Sequence, residues 1–292
     1  MKNVLVVGTL DTKGREMRYI LDEIRAAGGT ATVANFGVFE PDASDIPVDF
    51  TAADVAKVGG ATLEELRSGG EAGGARNHAM EVMMQGLTAI MEQEYEAGRL
   101  GAVLGFGGSS GSSVVGAAMQ ALPVGVPKVL VSTMASGDTT PYVGTRDITL
   151  MYSVTDLAGL NRITRLVLRN AAKAAVGMAK ESLEDAVADK QSLIAISMFG
   201  VTTPAVLAVQ KQVEEDGFET TVFHATGAGG RAMEDLVRDG LVDGVIDITT
   251  AELTDELVGG VLTAGPDRME AAGLAGIPQV LIPGALDVVN FG

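Results

Sequence analysis

Apolar positions along this chain come in short blocks, and each block runs into Gly, Ser, Thr or Asp before a stretch of helical spacing begins. The blocks predict strands at 4–7, 30–35, 102–106 and 128–132, and the helical periodicity between them predicts helices at 16–27, 77–97 and 113–122. This alternation marks βαβ units and a parallel sheet. Residues 40–74 interrupt it. They are rich in Pro, Asp, Gly and small side chains and read as a long excursion carrying one short helix, Ala52–Val58. Excursions of that length often belong to a binding site or a subunit contact.

From 156 to about 190 the pattern is helical, an amphipathic stretch (LNRITRLVLRNAAKAAVGMAK) followed by acidic and polar residues, and a domain boundary is expected within 180–191. A second run follows, with strands at 193–197, 220–224, 244–248 and 279–282 and helices at 204–216, 230–237 and from Ala251. The expected fold is α/β: two Rossmann-like domains with mainly parallel sheets, a nucleotide-binding domain at 1–185 and a second at 190–292. The second is small and reads as incomplete where it stops at VLIPGALDVVNFG.

Composition fits two cores. At 292 residues and 47% hydrophobic, with 4% aromatics and no Trp, the cores must be filled by Val, Leu, Ile, Ala and Met. Thirty-eight glycines are too many for a helical bundle and suit tight turns and close backbone approaches. The net charge of -17 argues against nucleic acid as a main partner, because phosphate-backbone binding needs a clustered basic surface. A local nucleotide site survives that argument: a few N–H groups and one lysine hold a phosphate inside an acidic protein, the more so with a divalent metal. Without cysteine there is no disulfide, thiolate metal site or cysteine nucleophile. The opening MKNVLVVGTLDTKG is too short in its apolar run for a secretory segment, and no segment approaches bilayer-spanning length. A cytoplasmic protein without membrane contact is expected.

The chemistry concentrates at the strand-to-helix junctions, where N–H groups and hydroxyls gather at the positive ends of helices. In GTLDTKG the strand ends at Gly8, Thr9 and Thr12 offer hydroxyls, Lys13 an ammonium and Asp11 a carboxylate for a hydrated Mg²⁺; the same string also reads as a capped turn. In GFGGSSGSS, glycines at 105, 107, 108 and 111 permit close approach of a ligand, and a buried strand before and a helix after disfavour a bare linker. Its spacing matches neither the GxxxxGK[ST] loop nor a clean GxGxxG. STMASGDTTPY, with Asp138, is either part of the same site or an ordinary polar loop.

In the second half, MFGVTTP places Thr203 as N-cap and Pro204 at the first helical position. His224 ends a strand beside Arg231 and Glu234, which makes it the candidate for proton transfer or ligand contact, with a structural role as the alternative. DITTAE offers Asp247 or Glu252 to a metal, or Thr250 as a helix cap. Two histidines cannot build a His-rich metal site.

The strings GTLDTKG, GGSSGSS, VSTMASGDTTPYVGTRDITLMYSVTDLAGLN, MFGVTTPAV, VFHATGAGGRAMEDLV, GVIDITTAEL and GALDVVNFG resemble uncharacterised protein family 0261, which includes the ATP-binding inhibitory region of the tomato mosaic virus resistance protein. The resemblance runs from residue 3 to 292. It implies two Rossmann-like domains, ATP with Mg²⁺ in the first, and a homodimer. It carries phosphate contacts onto Thr9, Asp11, Thr12, Lys13, Gly107, Gly108, Ser109, Ser110, Gly111, Ser136 and Gly137, to which Gly8 is added as the strand end. In the second domain it marks His224, Gly227, Gly230, Arg231, Glu234, Asp247, Thr250 and Glu252 without a role. Family members continue past VNFG, which implies strands missing from the second sheet here and a second polypeptide as one way to complete it.

The expected function is therefore Mg-ATP binding by the strand-end loops of the first domain. The alternative is a metabolic enzyme acting on a phosphorylated or carboxylated metabolite between the domains, with His224 as acid or base, Arg231 as anion clamp and Glu234 beside them. A protein-binding module is a third expectation, with the least support in the sequence.

Overall fold

The computed structural model describes residues 3–41, 45–68, 73–180 and 191–292. The chain divides into two compact units, Met1–Ala186 and Val187–Gly292. The boundary expected within 180–191 falls largely on residues 181–190, outside the described residues.

The first unit has a five-stranded sheet ordered β2-β1-β3-β4-β5, parallel throughout, formed by β1 (Asn3–Gly8), β2 (Ala31–Asn35), β3 (Leu100–Gly107), β4 (Lys128–Ser132) and β5 (Thr149–Tyr152). β3 and β4 are buried along their whole length, which is why they read as continuous apolar runs. Side chains alternate between two cores. Leu5, Val7, Val103 and Leu130 pack with α2 (Ala52–Val58), α4 (Gly73–Glu96) and α5 (Ser109–Gln120), whereas Val4, Val6, Leu104 and Val131 pack with α1 (Leu10–Ala26) and α7 (Arg162–Met178). The unit is thus doubly wound, helices on both faces of one sheet.

Three differences from the periodicity bear on function. α1 starts at Leu10 and α5 at Ser109, so Asp11 to Lys13 and Ser109 to Gly111 lie in first helical turns rather than in open loops. Lys13 breaks the α1 geometry (φ -135°, ψ 28°), so a kink separates the first turn from the rest of the helix. β5 replaces part of the stretch before α7; its four residues, TLMY, are exposed at both ends and only half-buried between. The 40–74 excursion holds a second short helix, α3 (Leu63–Ser68); its residues 42–44 and 69–72 lie outside the described residues. Between β4 and β5 lies α6 (Thr140–Val143).

The second unit has a four-stranded parallel sheet ordered β7-β6-β8-β9, from β6 (Leu193–Met198), β7 (Glu219–His224), β8 (Gly244–Thr249) and β9 (Gln279–Gly284). Ile196 and Ile248 meet Val206 of α8 (Thr203–Glu215) on one face. Ala195 and Val245 meet Met233 of α9 (Ala228–Arg238) and Ala271 of α11 (Ala271–Ala275) on the other. α10 (Ala251–Val258) follows β8. Thr203 is the first helical residue of α8 rather than its cap: a short 3₁₀ turn, Gly200–Thr202, precedes it, and its hydroxyl donates back to the Phe199 carbonyl (3.1 Å). Thr250 stands at the N-cap of α10 without a side-chain cap bond; its backbone N–H and hydroxyl both bond Gly284 O.

Candidate functional site

The strand order reverses direction at β1, with β2 on one side and β3 on the other. In open α/β sheets the crevice outside the carboxyl ends of such a strand pair is where ligands bind. Here it is flanked by Gly8–Thr9 after β1 and Gly107–Gly108 after β3.

The glycines of the β3 loop divide into two kinds. A Cβ on Gly105 would stand 2.3 Å from the Val115 side chain, and one on Gly107 would stand 3.1 Å from Gly111 Cα, so both are fixed by internal packing. Around Gly108 and Gly111 nothing lies nearer than 4.0 Å to the position of a Cβ, which leaves open space beside the loop. Gly108 is the N-cap of α5 and has no side chain to cap it. The first N–H bonded back is that of Ser112, to Gly108 O (2.8 Å). The N–H groups of Ser109, Ser110 and Gly111 precede it and stand at the positive end of the helix. The loop is held from below: Ser112 Oγ and Ser132 Oγ are 2.6 Å apart and buried, Ser132 Oγ accepts the N–H of Met134 (3.0 Å), and Thr133 N–H reaches Gly107 O (3.3 Å). Arg76 of α4 donates to Ser110 Oγ (3.3 Å), bringing a guanidinium to the rim. The sequence offered no signal for Arg76, 34 residues away.

On the β1 side, Gly8 answers to packing: a Cβ there would stand 2.8 Å from the Phe106 ring. Thr9 and Thr12 pair their hydroxyls (2.9 Å). Buried Asn35 accepts the N–H groups of Leu10 (3.0 Å) and Gly37 (2.9 Å) and fixes the turn. Asp11 lies against Gly37 and accepts the Phe39 N–H on Oδ2 (3.2 Å), with Oδ1 left over. Lys13 donates to Leu157 O (2.5 Å), using one of its three donors on the segment that leads into α7. Glu16 holds the same segment through Gly159 N–H (2.6 Å). Beyond β4, Ser136 and Gly137 are exposed; the Gly137 N–H closes its own turn on Met134 O (3.1 Å). Hydrogen bonds from the Thr140 side chain and N–H hold the Asp138 carboxyl below the usual carboxylate range.

Among the described residues no group of three or more His, Cys, Asp or Glu is placed to hold a metal. Asp11 offers one carboxylate, so a Mg²⁺ here would take its remaining ligands from phosphate oxygens and water, the usual habit of that ion.

The second unit is built differently. Its Gly-rich loop after β7 already holds an anion, its own Glu252. Glu252 Oε1 accepts the N–H groups of Gly227 (2.7 Å) and Gly230 (3.1 Å) at the start of α9, and Oε2 accepts Arg268 Nε (2.8 Å). Arg268 is buried and also bonds both oxygens of Asp247 (2.8 and 2.5 Å) and Glu234 Oε1 (3.0 Å). Glu234 further accepts the N–H groups of Met269 (2.7 Å) and Ala271 (2.9 Å). Burial alone would push the guanidinium down; the bonds and charges of Asp247 and then Glu252 outweigh it and hold Arg268 above the ordinary arginine range. Glycine is required at 227 (φ +81°), and a Cβ at 230 would stand 2.1 Å from Glu252 Oε2.

Thus Gly227, Gly230, Glu234, Asp247 and Glu252 form one internal network around an arginine that sequence reading missed. Arg268 lies in TAGPDRME, with neither periodicity nor motif to mark it. The His224, Arg231 and Glu234 grouping is not assembled by contact. His224 is exposed, its ring edge-on to Phe199 at 5.6 Å; Arg231 donates to Thr263 O (2.8 Å); Glu234 is turned into the buried network.

No helix among the described residues is long and apolar enough to cross a membrane. The chain is 48% identical over 291 residues to a UPF0261 protein of Clostridium tetani, covering 100% of this chain and 70% of that one. It is 39% identical over 302 residues to the ToMV susceptible protein tm-1(GCR26) of Solanum lycopersicum and 38% over 304 to the ToMV resistance protein Tm-1(GCR237), covering 99% of this chain and 40% of each tomato protein. The models of the N-terminal and C-terminal domains of UPF0261 match residues 2–184 and 191–292, and the chain belongs to this uncharacterised protein family.

Proposed function

We propose that the first unit binds a nucleoside triphosphate, ATP with Mg²⁺, at the β1/β3 switch point. One observation carries the reading: the start of α5 presents the N–H groups of Ser109, Ser110 and Gly111 without a capping side chain, beside space left open at Gly108 and Gly111. An anion fits such a helix start. The hydroxyls of Thr9, Thr12 and Ser110, the guanidinium of Arg76 and the spare donors of Lys13 supply further contacts to phosphate oxygens. When bound, Mg²⁺ would neutralise phosphate charge, with Asp11 as its protein ligand. The Gly-rich loop after β7 in the second unit does not compete for this role, since Glu252 already occupies it.

Calorimetric titration of Mg-ATP tests the reading. Saturable binding by the wild type, weakened at least tenfold in Gly108→Val, whose side chain enters the open space, is the expected result. Equal binding by both proteins, or none by the wild type, refutes it. A homodimer and a cytoplasmic location belong to the same proposal; light scattering and cell fractionation check them.

A further inference from the structure

The first unit carries a second concentration of positive charge that the nucleotide reading does not use. Tyr19 of α1 and Asn161, Arg162, Arg165, Leu166 and Arg169 at the start of α7 line a groove of about 430 Å³. The three arginines recur at i, i+3 and i+7, so they share one side of α7. Helix α7 contains no Asp or Glu, and among the described residues none of the three guanidiniums has a carboxylate partner. In a chain of net charge -17 that arrangement is unexpected.

The groove is also ordered for binding. Asn161 caps α7 by accepting the N–H groups of Ile163 (2.8 Å) and Thr164 (3.0 Å). Tyr19 donates to Arg165 O (3.2 Å), and its ring lies 5.1 Å from the Arg165 guanidinium carbon, which holds that side chain against α1. Glu23 bears on the Tyr19 hydroxyl. Arg169 Nε is buried with no hydrogen-bond partner among the described residues. A buried donor without an acceptor costs free energy, and three neighbouring guanidiniums repel one another; both costs are relieved by one ligand that brings several anionic oxygens.

We infer that this groove is a second anion site, for a small molecule bearing at least two anionic oxygen groups, a pyrophosphate or a bisphosphate ester. Guanidinium forks match phosphate oxygens in pairs, and three of them match more than one phosphoryl group. Leu166, 49% exposed, offers an apolar wall to the rest of such a ligand.

The test titrates inorganic pyrophosphate into the full chain carrying Gly108→Val, so that the switch-point loop is obstructed, at constant ionic strength. Saturable binding that falls at least tenfold in Arg162→Gln and in Arg169→Gln is expected. Arg162 is exposed, so its variant should fold normally even if Arg169→Gln does not. No binding, undiminished binding by Arg162→Gln, or an equal response to sulfate would overturn the inference. Mg-ATP titration of Arg162→Gln on an otherwise wild-type chain separates the two sites: affinity for nucleotide should be unchanged whether or not the groove binds pyrophosphate.

Discussion

The carboxylate of Glu252 accepts the N–H of Gly230 at 3.1 Å, at the start of a helix where a ligand phosphate would otherwise sit. The same acid takes the Gly227 N–H. The loop after β7 therefore supplies its own anion, while the loop after β3 supplies none. Two strings that look alike in sequence, GGSSGSS and TGAGGRAME, thus differ in what is left for a ligand.

Removing that internal anion should be costly. Glu252→Ala orphans two buried N–H groups and one edge of the Arg268 guanidinium, and a loss of about 3–5 kcal/mol is expected. Urea denaturation measures it. Sulfate should raise the melting temperature of the variant more than that of the wild type, because the vacated loop becomes an anion site.

Arg268 joins Asp247, Glu252 and Glu234, so Arg268→Met strands three buried carboxylates. The expected loss is again about 3–5 kcal/mol. The double variant Glu252→Gln with Arg268→Met should lose less than the sum of its parts, a coupling that a denaturant cycle detects.

Gly8 meets the Phe106 ring, with 2.8 Å from its virtual Cβ to Cζ. Gly8→Ala should destabilise the first unit by about 1–3 kcal/mol through overpacking, and Phe106→Leu in the same chain should recover part of the loss. Denaturation of the two single variants and the double variant decides whether Gly8 is there for packing.

The capping box at α2 gives a pH dependence. Hydrogen bonds from the Thr51 hydroxyl (2.5 Å) and N–H (2.9 Å) hold the Asp54 carboxyl below the usual carboxylate range. A depressed value contributes stability that is full above the unfolded value, about 3.9, and is lost as pH falls through the folded value. The stability gap between wild type and Asp54→Asn should be constant from about pH 7 to 5 and shrink below about 3.9. A gap that stays constant below that pH would contradict this.

The strands that carry the switch point were legible because they are buried on both faces and read as unbroken apolar runs. The starts of α1 and α5 were not, because Asp, Thr, Ser and Gly are poor helix formers and their helical geometry is imposed by the sheet below. The apolar run of β5, Leu150 to Tyr152, is short and stays partly exposed, so it did not stand out as a buried strand. The partners that fix the loops, Asn35, Arg76 and Arg268, come from distant segments and become neighbours only when strands pair; Asn35 stands opposite Gly8 in the β1–β2 register. The loop motifs pointed to both sheet edges, but only the three-dimensional contacts distinguish the open loop from the one already filled.

Amide chemical shifts recorded with and without Mg-ATP show which strand-end loop takes the nucleotide. Large changes are expected at Thr9 to Thr12 and Gly108 to Gly111, with none at Gly227 to Gly230. Changes confined to Gly227 to Gly230, or their absence throughout, would contradict it.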